Sequence, residues 1–140
     1  MPKLNLDAIA QSNATGYPAP YDREVAGRWW RRLAPEAGLT HLGASHVVLK
    51  PRGWSSHRHW HHKEDEIVIM LSGEAVLIED DTETVLRAGD VAAWAAGEPN
   101  GHHLINRSDY DCVFIAIGAG DRGAGGVYAD IDMTFGDAGY

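Results

Sequence analysis

Apolar and polar positions alternate in short runs from residue 40 onward, and turn-forming Gly, Pro, Asn and Asp residues separate the runs. A period of two is typical of a strand with one buried face, and runs spaced roughly eight to twelve residues apart are typical of a β-sandwich or barrel. No segment after residue 40 keeps a helical period, which argues against a parallel α/β sheet. The pattern therefore predicts an all-β fold with strands at residues 46–50, 54–61, 66–71, 74–79, 83–87, 91–94, 102–106 and 112–117.

The first forty residues have a different pattern. Residues 5–11 allow one or two helical turns, and Gly16, Pro18 and Pro20 prevent a longer helix. Residues 17–21 (Tyr-Pro-Ala-Pro-Tyr) are expected to form an extended arm. We therefore divide the chain into an N-terminal arm with an edge strand (1–40), a β-barrel (41–120) and a C-terminal tail (121–140).

Tryptophan and arginine are interleaved in the segment 27–33, around Trp29 and Trp30. One interpretation is a stacking platform for single-stranded nucleic acid. The other is a strand that packs its tryptophans on the domain or on a second subunit while the arginines stay solvated. The net charge of −8, from 12 Lys and Arg against 20 Asp and Glu, favours the second interpretation. We expect no nucleic-acid partner, and a homodimer to which the segment around Trp29 and Trp30 contributes.

Composition narrows the class of protein further. Apolar residues make up 44% of the chain, enough for a packed core. The single cysteine, Cys112, excludes an intramolecular disulfide and a multi-cysteine zinc site. The longest purely apolar run, residues 113–117, is too short to cross a bilayer, and no signal-peptide pattern is present. We expect a cytoplasmic protein with no membrane partner.

Histidines are clustered rather than spread along the chain: His57, His59, His61 and His62 occur close together, and Glu66 follows. Because residues two apart on a strand share a face, His59 and His61 are predicted to point the same way. His57 joins them if the strand extends that far. Two imidazoles and a carboxylate inside a barrel form a site for a divalent metal ion, whereas a solvated histidine-rich edge is the alternative.

A third imidazole is predicted on a later strand. By alternation, His102 shares a face with Leu104 and Asn106, and His103 takes the opposite face. A shift of one residue in register exchanges His102 and His103, so the choice between them depends on the register.

The spacing of these residues resembles the first motif of the cupin superfamily, in particular its small single-domain (cupin 2 type) metal-binding members. The motif is Gly, five residues, His-x-His, four residues, Glu, six residues and Gly, and the matching positions are Gly53, His59, His61, Glu66 and Gly73. The second cupin motif is recognisable but altered, since Ala95 replaces the usual proline and two extra residues precede the histidine. Its remaining positions are Gly89, Gly97, His102 and Asn106.

The resemblance implies a double-stranded β-helix, or jelly-roll barrel, that holds one divalent ion (Zn, Fe, Mn or Ni). The implied metal ligands are His59, His61, Glu66 and His102. It does not name a reaction, because cupins include dioxygenases, isomerases, epimerases and lyases as well as binding modules.

Two functional hypotheses remain open at this stage. In the first, the protein is an enzyme that acts on a small polar metabolite, sugar-like or carboxylate-like, with His57 as the candidate catalytic base. In the second, it is a non-catalytic small-molecule binding or sensing module with a structural metal. The match of residues 118–123 to GxGxxG is discounted because more glycine, and no helix, follows it.

Overall fold

The computed structural model describes residues 3–135, and the elements in this range are mostly short antiparallel strands, so the predicted all-β class is confirmed. A four-residue helix, α1 (Leu33–Glu36), and two 3-10 turns (Leu6–Ala8 and Arg122–Ala124) accompany them. The strands are β1 (Arg28–Arg32), β2 (Gly43–Leu49), β3 (His59–His61), β4 (Glu64–Ser72), β5 (Glu74–Ile78), β6 (Glu83–Arg87), β7 (Val91–Trp94), β8 (His103–Ile105), β9 (Cys112–Gly120), β10 (Gly126–Tyr128) and β11 (Thr134–Phe135).

The strands form one large sheet and two small ones. The five-stranded sheet has the order β1-β2-β9-β4-β7, and the three-stranded sheets have the orders β11-β10-β3 and β6-β5-β8. Strands that are far apart in sequence are therefore neighbours, as β2 and β9 are. This arrangement brings β3, β4 and the start of β8 together, which positions the candidate site.

Alternation along the strands decides which side chains enter the core. On β4, Val68 and Met70 are buried, and on β9, Phe114 is buried beside Met70 in the register. The predicted face shared by Glu66, Val68 and Met70 is therefore the inner face of the barrel. At about 25 cal/mol per Å² of buried apolar area, this core is the main source of stability. Its buried members are Val47, Leu49, Val68, Met70, Ala75, Leu77, Leu86, Trp94, Leu104, Cys112 and Phe114.

Gly73 makes the turn from β4 to β5 possible. Its φ is +69°, a conformation that favours glycine, and an added Cβ would lie 2.6 Å from the backbone oxygen of Asp111. The turn can therefore lie against the start of β9 only with glycine at this position.

Both ends of the described chain pack on the barrel. Ser12 forms a bridge to Trp30 on β1, and Tyr17 and Val25 are buried in a second apolar cluster with Tyr128 of β10. In the segment 121–140, expected to be a tail, β10 pairs with β3 from Gly126 to Tyr128; residues 136–140 lie outside the described residues, as do residues 1 and 2 of the arm. Within the described range, no helix is long and apolar enough to span a membrane.

Candidate metal centre

Two strands that are consecutive in the chain, in different sheets, bring three of the predicted ligands together. His59 and His61 lie on β3 and Glu66 lies on β4, and one candidate ligand atom from each falls within 4.8 Å of the other two. The alternation of β3 points both imidazoles to one side, as the sequence predicts. The register then places Glu66 opposite Trp94 and Gly118.

Backbone carbonyl groups fix the orientation of two of the imidazoles. His59 Nδ1 donates to the carbonyl oxygen of His57 at 2.8 Å, and His102 Nδ1 donates to that of Asn100 at 3.0 Å. An imidazole that donates from Nδ1 carries its lone pair on Nε2 when it is neutral. Metal-binding histidines are commonly oriented in this way, with one ring nitrogen donating to a neighbouring carbonyl and the other facing the metal.

The remaining ring nitrogens converge on Glu66. His102 Nε2 lies 2.5 Å from Glu66 Oε1, and His61 Nε2 lies 3.5 Å from Glu66 Oε2. His61 Nε2 is buried and makes no hydrogen bond, while His61 Nδ1 lies 3.2 Å from Glu64 Oε1. The structure thus places His102 beside the three clustered residues.

This donor set fits a divalent cation. Imidazole lone pairs and a carboxylate oxygen that face each other are all acceptors, so a proton or a cation must lie between them. An unpartnered buried ring nitrogen such as His61 Nε2 is costly unless it has such a partner. Nitrogen and oxygen ligands in this combination suit Zn, Fe, Mn or Ni.

The pKa shifts follow from burial and from this clustering. Burial lowers the pKa of His59 to about 4, so its ring is neutral at pH 7. Burial acts to raise the pKa of Glu66, but the neighbouring imidazoles of His102 and His61 outweigh it and hold that pKa below its ordinary value. Burial also acts to lower the pKa of His61, and the carboxylates of Glu66 and Glu64 more than offset this, so the pKa is raised.

Aromatic side chains that the sequence did not single out enclose the cluster. The ring of Trp94 stacks on His102 with centroids 3.8 Å apart and an angle of 1° between the planes. Phe135 of β11 contacts the rings of His59 and His61 edge-on, at 5.4 and 5.3 Å. Phe135 belongs to a two-residue strand outside the predicted barrel, and nothing in the pattern pointed to it.

The structure does not bring His57, the candidate catalytic base, to this cluster. Residues 55–58 form a bend and β3 begins only at His59, so the alternation does not extend back to position 57. The imidazole of His57 is buried against Tyr17, Tyr21 and Trp54, and its Nε2 donates to the carbonyl oxygen of Tyr21 at 2.8 Å.

His103 also lies away from Glu66. Its Nδ1 donates to the carbonyl oxygen of Ser56 at 2.7 Å, and its ring packs edge-on against Trp54 at 4.8 Å. Burial lowers the pKa of His103 to about 4. Of the two neighbouring histidines, it is His102 that faces the cluster.

A cavity of about 740 Å³ opens above the cluster. His59, His61, Glu66 and His102 line one part of it, and Arg28, Trp30 and Arg32 of β1 line another. The cavity has the size of a small-molecule binding site, and polar and apolar side chains line it in similar measure. A small polar ligand can therefore reach the cluster.

Comparison with known proteins places the chain in a family. The profile of the family described as Cupin domain matches residues 45–118. No curated protein sequence matches the chain.

Solved structures agree with this assignment. A cupin-superfamily sugar phosphate isomerase from Silicibacter pomeroyi is 38% identical, with a TM-score of 0.92 over 95% of this chain and 85% of that one. A protein from Acidithiobacillus ferrooxidans with a provisional sugar phosphate isomerase name is 26% identical, with a TM-score of 0.68 over 72% of this chain and 64% of that one. A Cupin 2 conserved barrel domain protein from Salinispora arenicola is 27% identical, with a TM-score of 0.57 over 66% of this chain and 75% of that one. The predicted jelly-roll fold is confirmed, and the chain belongs to the cupin family.

Proposed function

We propose that this protein is a metal-dependent isomerase of a small sugar-like metabolite, with one divalent ion held by His59, His61, Glu66 and His102. The observation that carries the proposal is the convergence of imidazole nitrogens on the carboxylate of Glu66 beside an open cavity. The similarity to a sugar phosphate isomerase over 95% of this chain supports the choice of reaction among those that cupins perform.

The ion, when bound, supplies a Lewis acid that polarises a carbonyl or hydroxyl oxygen. The side chains around it keep the ligands in place. Glu64 Oε1 lies 3.2 Å from His61 Nδ1 and orients that ring, and Arg122 Nε holds the other oxygen of Glu64 at 3.4 Å. The ring of Trp94 stacks on the face of His102, and Phe135 packs edge-on against His59. These contacts preorganise the ligands for one ion.

The experiment is a screen of the metal-loaded protein. Samples reconstituted with Zn, Fe, Mn or Ni are incubated with aldoses, ketoses and their phosphates, and interconversion is followed by NMR. Turnover that is lost in His61→Ala and kept in His62→Ala is the expected result, because His62 is exposed and outside the cluster. Tight binding without turnover in every sample contradicts the isomerase and leaves the non-catalytic binding module. Oxygen uptake by the iron form with a diol or keto acid contradicts it in favour of a dioxygenase.

We also propose a homodimer, formed through the outer face of the five-stranded sheet. The side chains there alternate with the buried ones, so Val48, Val113, Ile115 and Ile69 point away from the core. Val91, on the edge strand β7, is 55% exposed. An apolar sheet face of this extent is typical of an interface between subunits.

The structure separates the two tryptophans that we expected at the dimer contact. Trp30 packs against the barrel core, while Trp29 lies beside Val48 on the outer face. Trp29 is therefore the tryptophan available to a second subunit. The net charge of −8 supports a protein without a nucleic-acid partner, and the single cysteine suits the reducing cytoplasm, which we keep as the proposed location.

A further inference from the structure

β1 presents two arginines to the cavity. Strand alternation places Arg28, Trp30 and Arg32 on the inner face, where all three line the cavity, and leaves Trp29 and Arg31 outside. This arrangement gives the interleaved Arg and Trp residues of the segment 27–33 a role that neither sequence interpretation assigned. Both arginines line the cavity, Arg28 half-buried and Arg32 exposed.

Arg28 is a partly buried cation without a counter-ion. Its Nη1 donates to the carbonyl oxygen of Ser55 at 2.8 Å, while its Nε is buried and makes no hydrogen bond. Among residues 3–135 it forms no ion pair. An arginine is rarely buried unless it is paired, so the missing partner of Arg28 points to an anion from outside the chain.

Arg32 lines the same cavity as Arg28. Its Cζ sits 4.5 Å from the ring centroid of Trp30, the residue between the two arginines on this face. The backbones of residues 28 and 32 are separated by about 13 Å along the strand, a gap that two arginine side chains can span. Burial lowers the pKa of Arg28, and the charge of Arg32 lowers it further. An anion between them would relieve this repulsion.

The other charges of the cavity are already paired. Arg122 lies 3.4 Å from Glu64, and Glu66 interacts with His61 and His102. A divalent ion at the cluster would add positive charge to the same cavity. The site therefore favours a ligand with a polyol or carbonyl end for the metal and an anionic end for the arginines.

We propose that Arg28 and Arg32 form a phosphate subsite, so that the substrate of the proposed isomerase is a sugar phosphate whose phosphate lies against β1. Arginine binds phosphate with two parallel N–H groups, and the guanidinium of Arg28 has donors beyond the one that Nη1 gives to Ser55. The proposal rests on the proposed function for the sugar end of the substrate, whereas the phosphate subsite stands on the arginines themselves.

The test is equilibrium binding to the metal-loaded protein, measured by calorimetry with inorganic phosphate, ribose 5-phosphate, ribose and ribonate. Arg28→Gln is expected to weaken the binding of ribose 5-phosphate at least 10-fold and to weaken the binding of inorganic phosphate similarly. The affinity for ribose should be unchanged. Arg28→Lys is expected to recover part of the loss. Arg107→Gln is the control, because Arg107 is an exposed arginine that pairs with Glu83 outside the cavity.

Arg32→Gln provides a second variant if Arg28→Gln folds poorly, since Arg32 is exposed. Arg32→Gln is expected to weaken the binding of phosphate severalfold. Folded, metal-containing Arg28→Gln and Arg32→Gln proteins that bind phosphate as the wild type does would overturn the subsite. Arginine-dependent binding of ribonate in preference to ribose 5-phosphate would also overturn it, in favour of a carboxylate. Calorimetry measures binding and does not depend on turnover. Arginine-dependent phosphate binding without isomerisation would therefore refute only the proposed function. Isomerisation that neither variant affects would refute only the subsite.

Discussion

His102 and Glu66 face each other across the interior of the barrel, with Nε2 of the histidine 2.5 Å from Oε1 of the carboxylate. The two residues are 36 positions apart in sequence. The isolated bridge between His59 and His102 and the pairing of β4 with β7 bring them together. His102 Nδ1 is bonded to the carbonyl of Asn100, so this ring cannot turn without losing that bond.

This orientation predicts a difference between the two neighbouring histidines. His102→Ala should reduce the bound metal well below one ion per chain and weaken affinity by about 10- to 100-fold or more, because a ligand is lost. His103→Ala should keep stoichiometric metal, although burial of His103 makes some loss of stability expected. Elemental analysis of both purified variants measures the difference. Loss of metal in His103→Ala alone would show that His103 is the ligand.

A second prediction concerns the link between metal and stability. His61→Ala should lose both the metal and the thermal shift that divalent ions give the wild type, because an ion that binds only the folded state stabilises it. At a free ion concentration of 100 times Kd, that stabilisation is about 2.7 kcal/mol. Differential scanning fluorimetry with and without added ions measures it.

His62→Ala is the matched control for this experiment. His62 is exposed and its ring contacts Trp60 rather than Glu66. Wild-type protein that neither contains metal nor responds to any divalent ion would refute the metal site.

A third prediction addresses the outer face of the large sheet. Ile115→Lys should convert the proposed dimer to a monomer, because a charge placed among Val48, Ile69 and Val113 cannot be buried without a partner. Trp29→Ser should weaken the dimer less. Light scattering at micromolar concentration measures both. Val85→Lys is the control, since Val85 is 41% exposed on β6, in another sheet. A wild type that is already monomeric contradicts the homodimer.

Local patterns predicted most of the barrel, and long-range packing explains what they missed. The strands β6 (Glu83–Arg87) and β7 (Val91–Trp94) have the predicted bounds because alternation and flanking turns define both ends. The sequence puts His57 on the ligand face only if the strand extends to position 57, and nothing local distinguishes a bend at 55–58 from a continued strand. The strands β10 and β11 are three and two residues long, too short for any period. β10 forms along the edge of β3, and β11 then pairs with β10.

The cavity arginines were missed for a related reason. A sequence shows that Arg28 lies two residues from Trp30, but it does not show which face of β1 meets the barrel. That face is set by the pairing of Arg28 with Leu49 and of Trp30 with Val47, both buried positions of β2. Tertiary register therefore places both arginines on the face of β1 that lines the cavity.

The last prediction uses the ion pair between Arg58 and Asp130, which ties the bend before β3 to the segment after β10. Arg58 Nε lies 2.8 Å from Asp130 Oδ2, and its Nη1 lies 2.7 Å from Asp80 Oδ1. Hydrogen bonding from Arg58 lowers the pKa of Asp130 below its ordinary value. The carboxyl group of Asp130 therefore loses its proton at a lower pH in the folded protein than in the unfolded chain. The ion pair consequently adds stability above the unfolded pKa of about 3.9.

Asp130→Asn should consequently destabilise the protein at pH 7 by about 1 kcal/mol or less, since the Asp130 side chain is 56% exposed and solvent screens the pair. The difference between wild type and variant should shrink as the pH falls through the lowered pKa of Asp130, because the wild-type carboxylate is then also neutral. Urea unfolding midpoints at pH 7, 5, 4 and 3.5 measure the trend. Asp132→Asn is the control, because Asp132 is exposed and forms no ion pair within residues 3–135. A destabilisation by Asp130→Asn that stays constant from pH 7 to 3.5 would mean that the shape of the side chain, and not its charge, matters at this position.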